Sequence, residues 1–278
     1  MSASQNKSSR NLRAWVALVL LVNGFFPAVW ILFTSLKTET ELTQTPITWW
    51  PHAPTLANYT QAFTQQPLLH FIGNSLEIAI GSALLTLVAA TGAAYAIARL
   101  KLKGRGLILT GLIAVAMFPP VTLLVPLFET MRALHLLNTV LALMLPYAVM
   151  SLPVATLLLV SFFKDMPQEL EDAALLDGCS RLGALWRVML PLAAPAVFTA
   201  GILAFVNAWD EFLLAQALNA APDHRTLPVG ILFYQGEFTF PWPVISAALV
   251  VAIVPLALLI VLFQERVTGG LMAGGLKG

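Results

Sequence analysis

The chain alternates between long runs without Asp, Glu, Lys or Arg and short segments that hold most of its charge. Six of these runs have the roughly 20 largely apolar residues that a helix needs to cross a bilayer. They are Ala14–Leu36, Ile78–Ala98, Gly106–Phe128, Leu136–Phe163, Val188–Trp209 and Phe238–Gln264. Because a bilayer offers no water to the backbone, each run is predicted to be an α-helix. The two-residue alternation that is typical of membrane β-strands is absent from the sequence.

The pattern predicts an all-α, polytopic membrane protein whose transmembrane part occupies residues 14–264. The six spans are expected at about residues 14–36, 76–98, 106–128, 138–163, 192–215 and 243–263. Leu42–Leu76 also lacks charge, but it is rich in Thr, Gln and Pro and is predicted to be a loop. The first run exceeds the roughly 7–15 apolar residues of a signal peptide, so it is expected to be an uncleaved span.

Basic residues indicate the orientation, because they concentrate on the cytoplasmic side of a membrane protein. With residues 1–13 inside, twelve Lys and Arg are cytoplasmic and three are external. The cytoplasmic ones are Lys7, Arg10, Arg13, Arg99, Lys101, Lys103, Arg105, Lys164, Arg181, Arg187, Arg266 and Lys277. The external ones are Lys37, Arg132 and Arg225. Both termini, including the tail 265–278, are therefore predicted to be cytoplasmic.

Composition narrows the class of protein further. Hydrophobic residues make up 58% of the 278 residues and charged ones 10%, against about 25% charged in soluble domains. This excludes a soluble enzyme, and disordered chains are poor in hydrophobic residues. A net charge of +1 gives no reason to expect a nucleic-acid partner. The single cysteine and four dispersed histidines predict neither an internal disulfide nor a metal site.

Three external segments follow from this topology, at about residues 37–73, 132–139 and 219–243. The first and third are rich in aromatic residues: Trp49, Trp50, Tyr59 and Phe63, and then Phe233, Tyr234, Phe238, Phe240 and Trp242. Such residues form belts at the membrane surface. A docking surface for an external partner is the alternative interpretation.

The cytoplasmic segment 164–191 carries the most informative pattern. Pro167 suits a first helical position and Gly178 a helix end, so a short helix is predicted over Pro167–Asp177. Ser180 is a good N-cap for a second helix. That helix would carry an apolar stripe of Leu182, Leu185, Trp186 and Met189. An amphipathic hairpin lying on the membrane surface is the simplest interpretation.

The same segment resembles the cytoplasmic loop of ABC importer permeases, which reads E-A-A-x-x-x-G followed by a hydrophobic residue, x, Leu and Pro. Here the corresponding residues read Asp172-Ala173-Ala174-Leu175-Leu176-Asp177-Gly178 and then Val188-Met189-Leu190-Pro191. Asp172 stands where the family usually has Glu, and Glu171 precedes it. Residues 74–100, 207–219, 226–238 and 263–278 also resemble the smaller permease of the maltose transporter type.

The resemblance implies a type I importer permease that moves a sugar, a di- or oligosaccharide, by alternating access. It implies a second homologous permease, two ATPase subunits and an external binding protein in a bacterial or archaeal plasma membrane. The loop would couple to an ATPase through Glu171, Asp172, Ala173, Ala174, Asp177, Gly178, Leu190 and Pro191. ATP and Mg²⁺ would bind the ATPase, because this sequence has no Gly-Lys dipeptide and hence no P-loop.

Polar residues in the fifth predicted span are candidates for lining the pathway. They are Asn207, Asp210, Glu211 and Gln216. Asp210 and Glu211 fall near the outer boundary, where solvation is the alternative, and Asn207 and Gln216 could instead join helices. Pro119 and Pro120 are predicted to interrupt the third span, and Pro146 and Pro153 the fourth.

Other classes of function are less compatible with the pattern. A secondary transporter would show inverted repeats and charge pairs at mid-membrane, and neither is evident. A membrane enzyme would need a catalytic constellation in the spans. Among ABC importers, glycerol phosphates, amino acids and polyamines are the alternative substrates.

Overall fold

A computed structural model describes residues 2–100, 102–236 and 239–275, with the side chains of 15–17, 19–100, 102–236 and 239–263. Lys101, Phe238 and Lys277 lie outside the described residues, as do the side chains of Lys7, Arg10, Arg13 and Arg266. Regular structure within the described ranges is entirely helical. The all-α prediction is therefore confirmed.

Fourteen α-helices follow one another in the described part of the chain. They are α1 Ser2–Ser35, α2 Glu39–Leu42, α3 Ala57–Gln65, α4 Leu68–Arg99, α5 Arg105–Ala116, α6 Leu124–Ala133, α7 Val140–Asp165, α8 Glu169–Leu176, α9 Arg181–Ala184, α10 Leu190–Leu192, α11 Ala194–Trp209, α12 Leu213–Leu218, α13 Leu227–Leu232 and α14 Trp242–Gly275. Short 3₁₀ turns occupy Pro120–Leu123 and Pro222–His224, and a π-helical turn occupies Leu185–Met189.

Within the described ranges, four helices have segments long and apolar enough to cross a membrane: Trp15–Ser35, Leu68–Arg99, Val140–Asp165 and Trp242–Phe263. Two further runs pass the same test only as bent pairs. Arg105–Ala116 and Pro120–Ala133 meet at 89°, and Arg181–Leu192 and Ala194–Trp209 meet at 81°. The count reaches six if each bent pair is one span. The run of the fifth predicted span is thus not the single straight helix that its hydrophobicity suggested, and the third bends where prolines were predicted to interrupt it.

Proline acts differently in the third and fourth runs. The helix α5 ends at Ala116, and Pro119 precedes the 3₁₀ turn, so the predicted interruption there is confirmed. Pro146 and Pro153 instead lie inside the continuous helix α7, so the interruption predicted for the fourth span is wrong. Proline kinks a helix without ending it when neighbouring groups satisfy the freed carbonyls.

The prediction of a loop over Leu42–Leu76 is wrong for much of its length. It contains α3 and the first turns of α4. Ala62, Leu68 and Phe71 in these helices are almost fully buried, at 0%, 1% and 1% exposed. Burial of one face outweighs the weak helix propensity of the Thr residues that suggested a loop, and the Gln residues are themselves compatible with a helix.

The chain forms two compact units, and the first comprises the residues up to Leu68 together with Ile231–Val254. The Asn58 amide donates to the carbonyls of Ser35 and Lys37, both at 2.8 Å, and so closes the end of α1. Lys37 is only 1% exposed. Its amine donates to the Thr48 carbonyl and lies 5.1 Å from the centre of the Trp30 ring.

The second unit comprises Leu69–Gly230 and the residues from Pro255 onward. The helices α4 and α7 pack closely, since Ser82 Oγ donates to the Met144 carbonyl at 3.2 Å and Thr86 Oγ1 to the Ala148 carbonyl at 3.2 Å. One buried cluster then joins α4, α7, the π turn and α11. Its members are Ala90, Ala94, Tyr95, Ile97, Ala155, Leu159, Val160, Phe163, Leu185, Met189, Ala193, Ala196 and Ala200.

Candidate functional site

The first helix of the 164–191 segment is α8, somewhat shorter than the predicted Pro167–Asp177. It ends in a Schellman motif: the Cys179 N–H donates to the Ala174 carbonyl at 3.0 Å, and the Gly178 N–H to that of Leu175 at 3.1 Å. Gly178 has φ +86°, the left-handed conformation that such an ending requires. The predicted role of Gly178 as a helix stop is confirmed.

The second helix starts at the predicted cap, because Ser180 Oγ accepts from the Gly183 N–H at 3.1 Å. The helix α9 then widens into the π turn, which rotates the side chains that follow. Leu185 and Met189 are 3% and 0% exposed and join the core, whereas Leu182 and Trp186 are 64% and 57% exposed. The single apolar stripe predicted for these four residues is therefore wrong: it divides into a buried and an exposed half.

A buried polar cluster connects the segment to α4. Glu171 Oε1 accepts from the Tyr95 hydroxyl at 2.6 Å. Glu171 Oε2 lies 3.8 Å from Arg99 Nε, and the two side chains are only 6% and 8% exposed. Arg99 Nη2 also donates to the Met166 carbonyl at 2.8 Å, where α7 gives way to the segment. We call Tyr95, Arg99 and Glu171 the buried triad.

The other residues of the loop motif are placed differently. Ala174 is buried and Leu190 half-buried. Leu190 and Pro191 line an apolar groove of about 640 Å³ with residues of α4, α11 and α14. The exposed members are Asp172, Ala173, Asp177, Gly178 and Pro191. With Leu176, Leu182 and Trp186 they leave a largely uncovered outer surface on the segment.

The four candidate pathway residues do not form one site. Asn207 lines a cavity of about 700 Å³ between α5, the Pro120–Leu123 turn, α7 and α11. Its amide donates to Ser151 Oγ at 3.2 Å. The other side chains that line the cavity are apolar, so Asn207 and Ser151 provide its polar side chains. Asp210, Glu211 and Gln216 are not part of that lining.

Asp210 and Glu211 are not within the fifth helix, as the sequence suggested. The helix α11 ends at Trp209, and α12 starts at Leu213. Glu211 Oε1 accepts from the Leu214 N–H at 2.9 Å, and Oε2 from the Ala215 N–H at 3.1 Å and from the Tyr147 hydroxyl at 2.5 Å. The carboxylate therefore caps α12, while Asp210 and Gln216 are exposed.

Four residues of these arrangements were missed by sequence reasoning: Tyr95, Arg99, Tyr147 and Ser151. Arg99 was counted only for orientation, and the others lie within hydrophobic runs. A hydroxyl on an otherwise apolar span was the available signal, because a buried hydroxyl needs a partner. Among the described residues, no group of three His, Cys, Asp or Glu side chains is placed to hold a metal ion.

Comparison with known proteins identifies the family. The model of the family described as "binding-protein-dependent transport system inner membrane component" matches residues 84–271, which include α8, the buried triad and the Asn207 cavity. This chain belongs to that family. The predicted identity as an ABC importer permease and its location in the inner membrane are thereby confirmed.

Individual relatives of this permease cover nearly its whole length. It is 68% identical to the sulfoquinovosyl glycerol transport system permease protein SmoH of Agrobacterium fabrum, over 98% of this chain and 95% of that one. It is 36% identical to the trehalose/maltose transport system permease protein MalG of Thermococcus litoralis, over 94% of this chain and 95% of that one.

A solved structure shares the permease fold. It is that of a bacterial ABC transporter involved in the import of the acidic polysaccharide alginate. The TM-score is 0.82 at 19% identity, covering 95% of this chain and 98% of that one. The predicted type I importer permease fold is confirmed by this likeness.

Proposed function

We propose that this permease imports a sulfonated sugar glycoside of the sulfoquinovosyl glycerol class. The observation that carries the proposal is the 68% identity to a permease of that transport system, maintained over 98% of this chain. Identity to the trehalose/maltose permease is about half as high over a similar length. The proposal narrows the sugar class expected from the sequence to a smaller, anionic cargo.

The permease would act within a larger assembly. A second homologous permease, two ATPase subunits and an external binding protein complete the importer, and ATP with Mg²⁺ binds the ATPases. We place both termini and the 164–191 segment in the cytoplasm. The exposed outer surface of that segment, with Leu176 89% and Trp186 57% exposed, is the face that would dock on an ATPase. Closure of the ATPases would then move the spans between inward-open and outward-open arrangements.

The cavity beside Asn207 suits a small polar cargo in size. Its volume of about 700 Å³ lies within the roughly 300–1,000 Å³ typical of small-molecule sites. The amide of Asn207 and the hydroxyl of Ser151 would exchange hydrogen bonds with sugar or glycerol hydroxyls in passing. No charged side chain is among the described lining residues, so the second permease would supply the cation that offsets the sulfonate.

Uptake by cells tests this function. Deleting the gene for this chain is expected to abolish uptake of labelled sulfoquinovosyl glycerol, and restoring the gene on a plasmid should restore it. Uptake of labelled trehalose and maltose in the same cells is the control and should not change. Unchanged uptake of the sulfonated glycoside, or loss of trehalose uptake in its place, would contradict the proposal.

A further inference from the structure

The buried triad forms a polar connection between α4 and α8, two helices that are not consecutive in the chain. The helix α8 follows α7, whereas α4 precedes both, so α4 can follow a movement of α8 only through side-chain contacts. Glu171 comes from the first turn of α8, and Tyr95 and Arg99 come from the last turns of α4. The Tyr95 hydroxyl also lies 3.3 Å from the Arg181 carbonyl at the start of α9.

Burial makes this connection stiff. The side chains of Arg99 and Glu171 are 8% and 6% exposed, and Tyr95 is 6% exposed. Charges withdrawn from water interact more strongly than exposed ones, and a buried carboxylate that loses its partners is costly. Exposed acids on the same helix, such as Glu169, lack this confinement.

A third contact connects the buried triad to the end of α7. Arg99 donates to the Met166 carbonyl at 2.8 Å, directly after the last residue of α7. The guanidinium of Arg99 therefore contacts the start of the 164–191 segment at Met166 and, through its ion pair with Glu171, the helix α8. Among the described residues, Arg99 Nε has no hydrogen-bond partner, and the atom faces Glu171 Oε2 at 3.8 Å.

We propose that the buried triad is the joint that makes α4 move with the 164–191 segment, with Glu171 as its positioning residue. The inference rests on the proposed transport function, since it concerns how force from the ATPases reaches the spans. The exposed motif residue Asp172 belongs to the docking surface, and its buried neighbour Glu171 carries the movement inward. Packing of Leu185 and Met189 in the same core keeps the segment attached when the triad is weakened, so triad variants should fold.

The coupling ratio tests the joint in the complete importer, reconstituted in liposomes with its binding protein and sulfoquinovosyl glycerol. Glu171→Gln and Tyr95→Phe are expected to raise the ATP hydrolysed per glycoside imported by about 2- to 30-fold. Glu171→Gln removes the charge that pairs with Arg99, and Tyr95→Phe removes the hydrogen bond to the same carboxylate. Because both changes weaken contacts of one side chain, their effects in the double variant should not be additive. Glu169→Gln, an exposed acid on the same helix, is the matched control and should keep the native ratio.

A merely structural role would lower hydrolysis and import together and leave the ratio unchanged, and that result would overturn the proposal. The ratio of ATP hydrolysed to glycoside imported can be measured only if sulfoquinovosyl glycerol is the cargo. A second measurement therefore uses no sugar. Spin labels at Glu169→Cys, an exposed position of α8 outside the docking surface, and at Val88→Cys on α4, in a Cys179→Ser background, report the distance between the helices. A non-hydrolysable ATP analogue should leave the distribution of that distance unchanged in the importer with native Glu171. In the Glu171→Gln variant the same analogue should broaden the distribution.

These two measurements separate the possible failures. If the native importer fails to import sulfoquinovosyl glycerol while the spin-label distance behaves as expected, the cargo proposal is wrong and the joint stands. If the native distance changes with the nucleotide as much as it does in Glu171→Gln, α4 does not move with α8 and the joint is wrong.

Discussion

The carboxylate of Glu211 has three donors around it: the N–H groups of Leu214 and Ala215 and the hydroxyl of Tyr147. An ionised carboxylate is acceptor-only, so these contacts use both of its oxygens. At the residue scale, this accounts for an acid in a hydrophobic stretch without requiring that it touch the cargo.

Replacing Glu211 by Gln is expected to lower the stability of the purified importer by about 1–2 kcal/mol, the range for a lost helix cap. The amide would direct an N–H toward backbone N–H groups that need an acceptor. Thermal unfolding measures the loss, and the KM of uptake should not change. Asp210→Asn, the exposed neighbouring change, is the control. A raised KM with native stability would instead place Glu211 on the pathway.

Glu171 and Asp172 show what sequence could and could not say about single residues. The loop motif identified the position of both acids, and it drew attention to Asp172 because the family usually has Glu there. Which of the two is buried depends on the rotation of α8 against α4. That rotation is set by contacts with Tyr95 and Arg99, which lie 76 and 72 positions before Glu171 in the chain. Local pattern contains no information on that pairing.

At the scale of elements, the end of α8 depends on one backbone conformation. Gly178 has φ +86°, and a Cβ added there would have no atom within 4 Å. Substitution is therefore opposed by backbone strain and not by crowding. A β-branched residue is the most restricted in this conformation, whereas Asn adopts it readily.

Gly178→Val is expected to distort the turn between α8 and α9 and to separate ATP hydrolysis from import, with the protein still inserted in the membrane. The strain amounts to about 1–2 kcal/mol. The measurement is hydrolysis and import by the reconstituted importer, with membrane content checked by immunoblot. Gly178→Asn should retain most import, since Asn tolerates the conformation. Full import by the Val variant would contradict a coupling role for this turn.

Local sequence signals predicted where helices start and stop, but they did not predict where helices widen or bend. Ser180 as a cap, Gly178 as a stop and the break before Pro120 follow from side chains that act on their own backbone. The π turn over Leu185–Met189 and the 81° bend between α10 and α11 do not. Both arise because Leu185, Met189 and Ala193 must reach one buried cluster with residues of α4 and α7.

At the scale of the whole molecule, the distribution of charge predicts which side of the membrane each segment faces. That orientation can be tested directly. Cys179 is the single cysteine of the chain and lies in the segment that we place in the cytoplasm.

A thiol reagent that cannot cross membranes is expected to leave Cys179 unlabelled in intact cells and to label it in inside-out vesicles. The physical reason is that the positive-inside distribution places this segment opposite to the external ones. Thr40→Cys in a Cys179→Ser background is the control, because Thr40 is exposed in a predicted external segment and should show the reverse. Labelling of Cys179 from outside intact cells would contradict the predicted orientation.

The break at Pro119 and Pro120 has a consequence for how a bent span survives in lipid. The backbone N–H groups of Met117 and Phe118 donate back to Ile113 and Val115, both at 3.1 Å. The next two residues are prolines, which have no N–H to satisfy. A change of direction near 90° is thus made without stranding an amide proton at residues 117–120, where hydrocarbon could not accept it. An alanine at either proline would add a proton donor that has to find an acceptor.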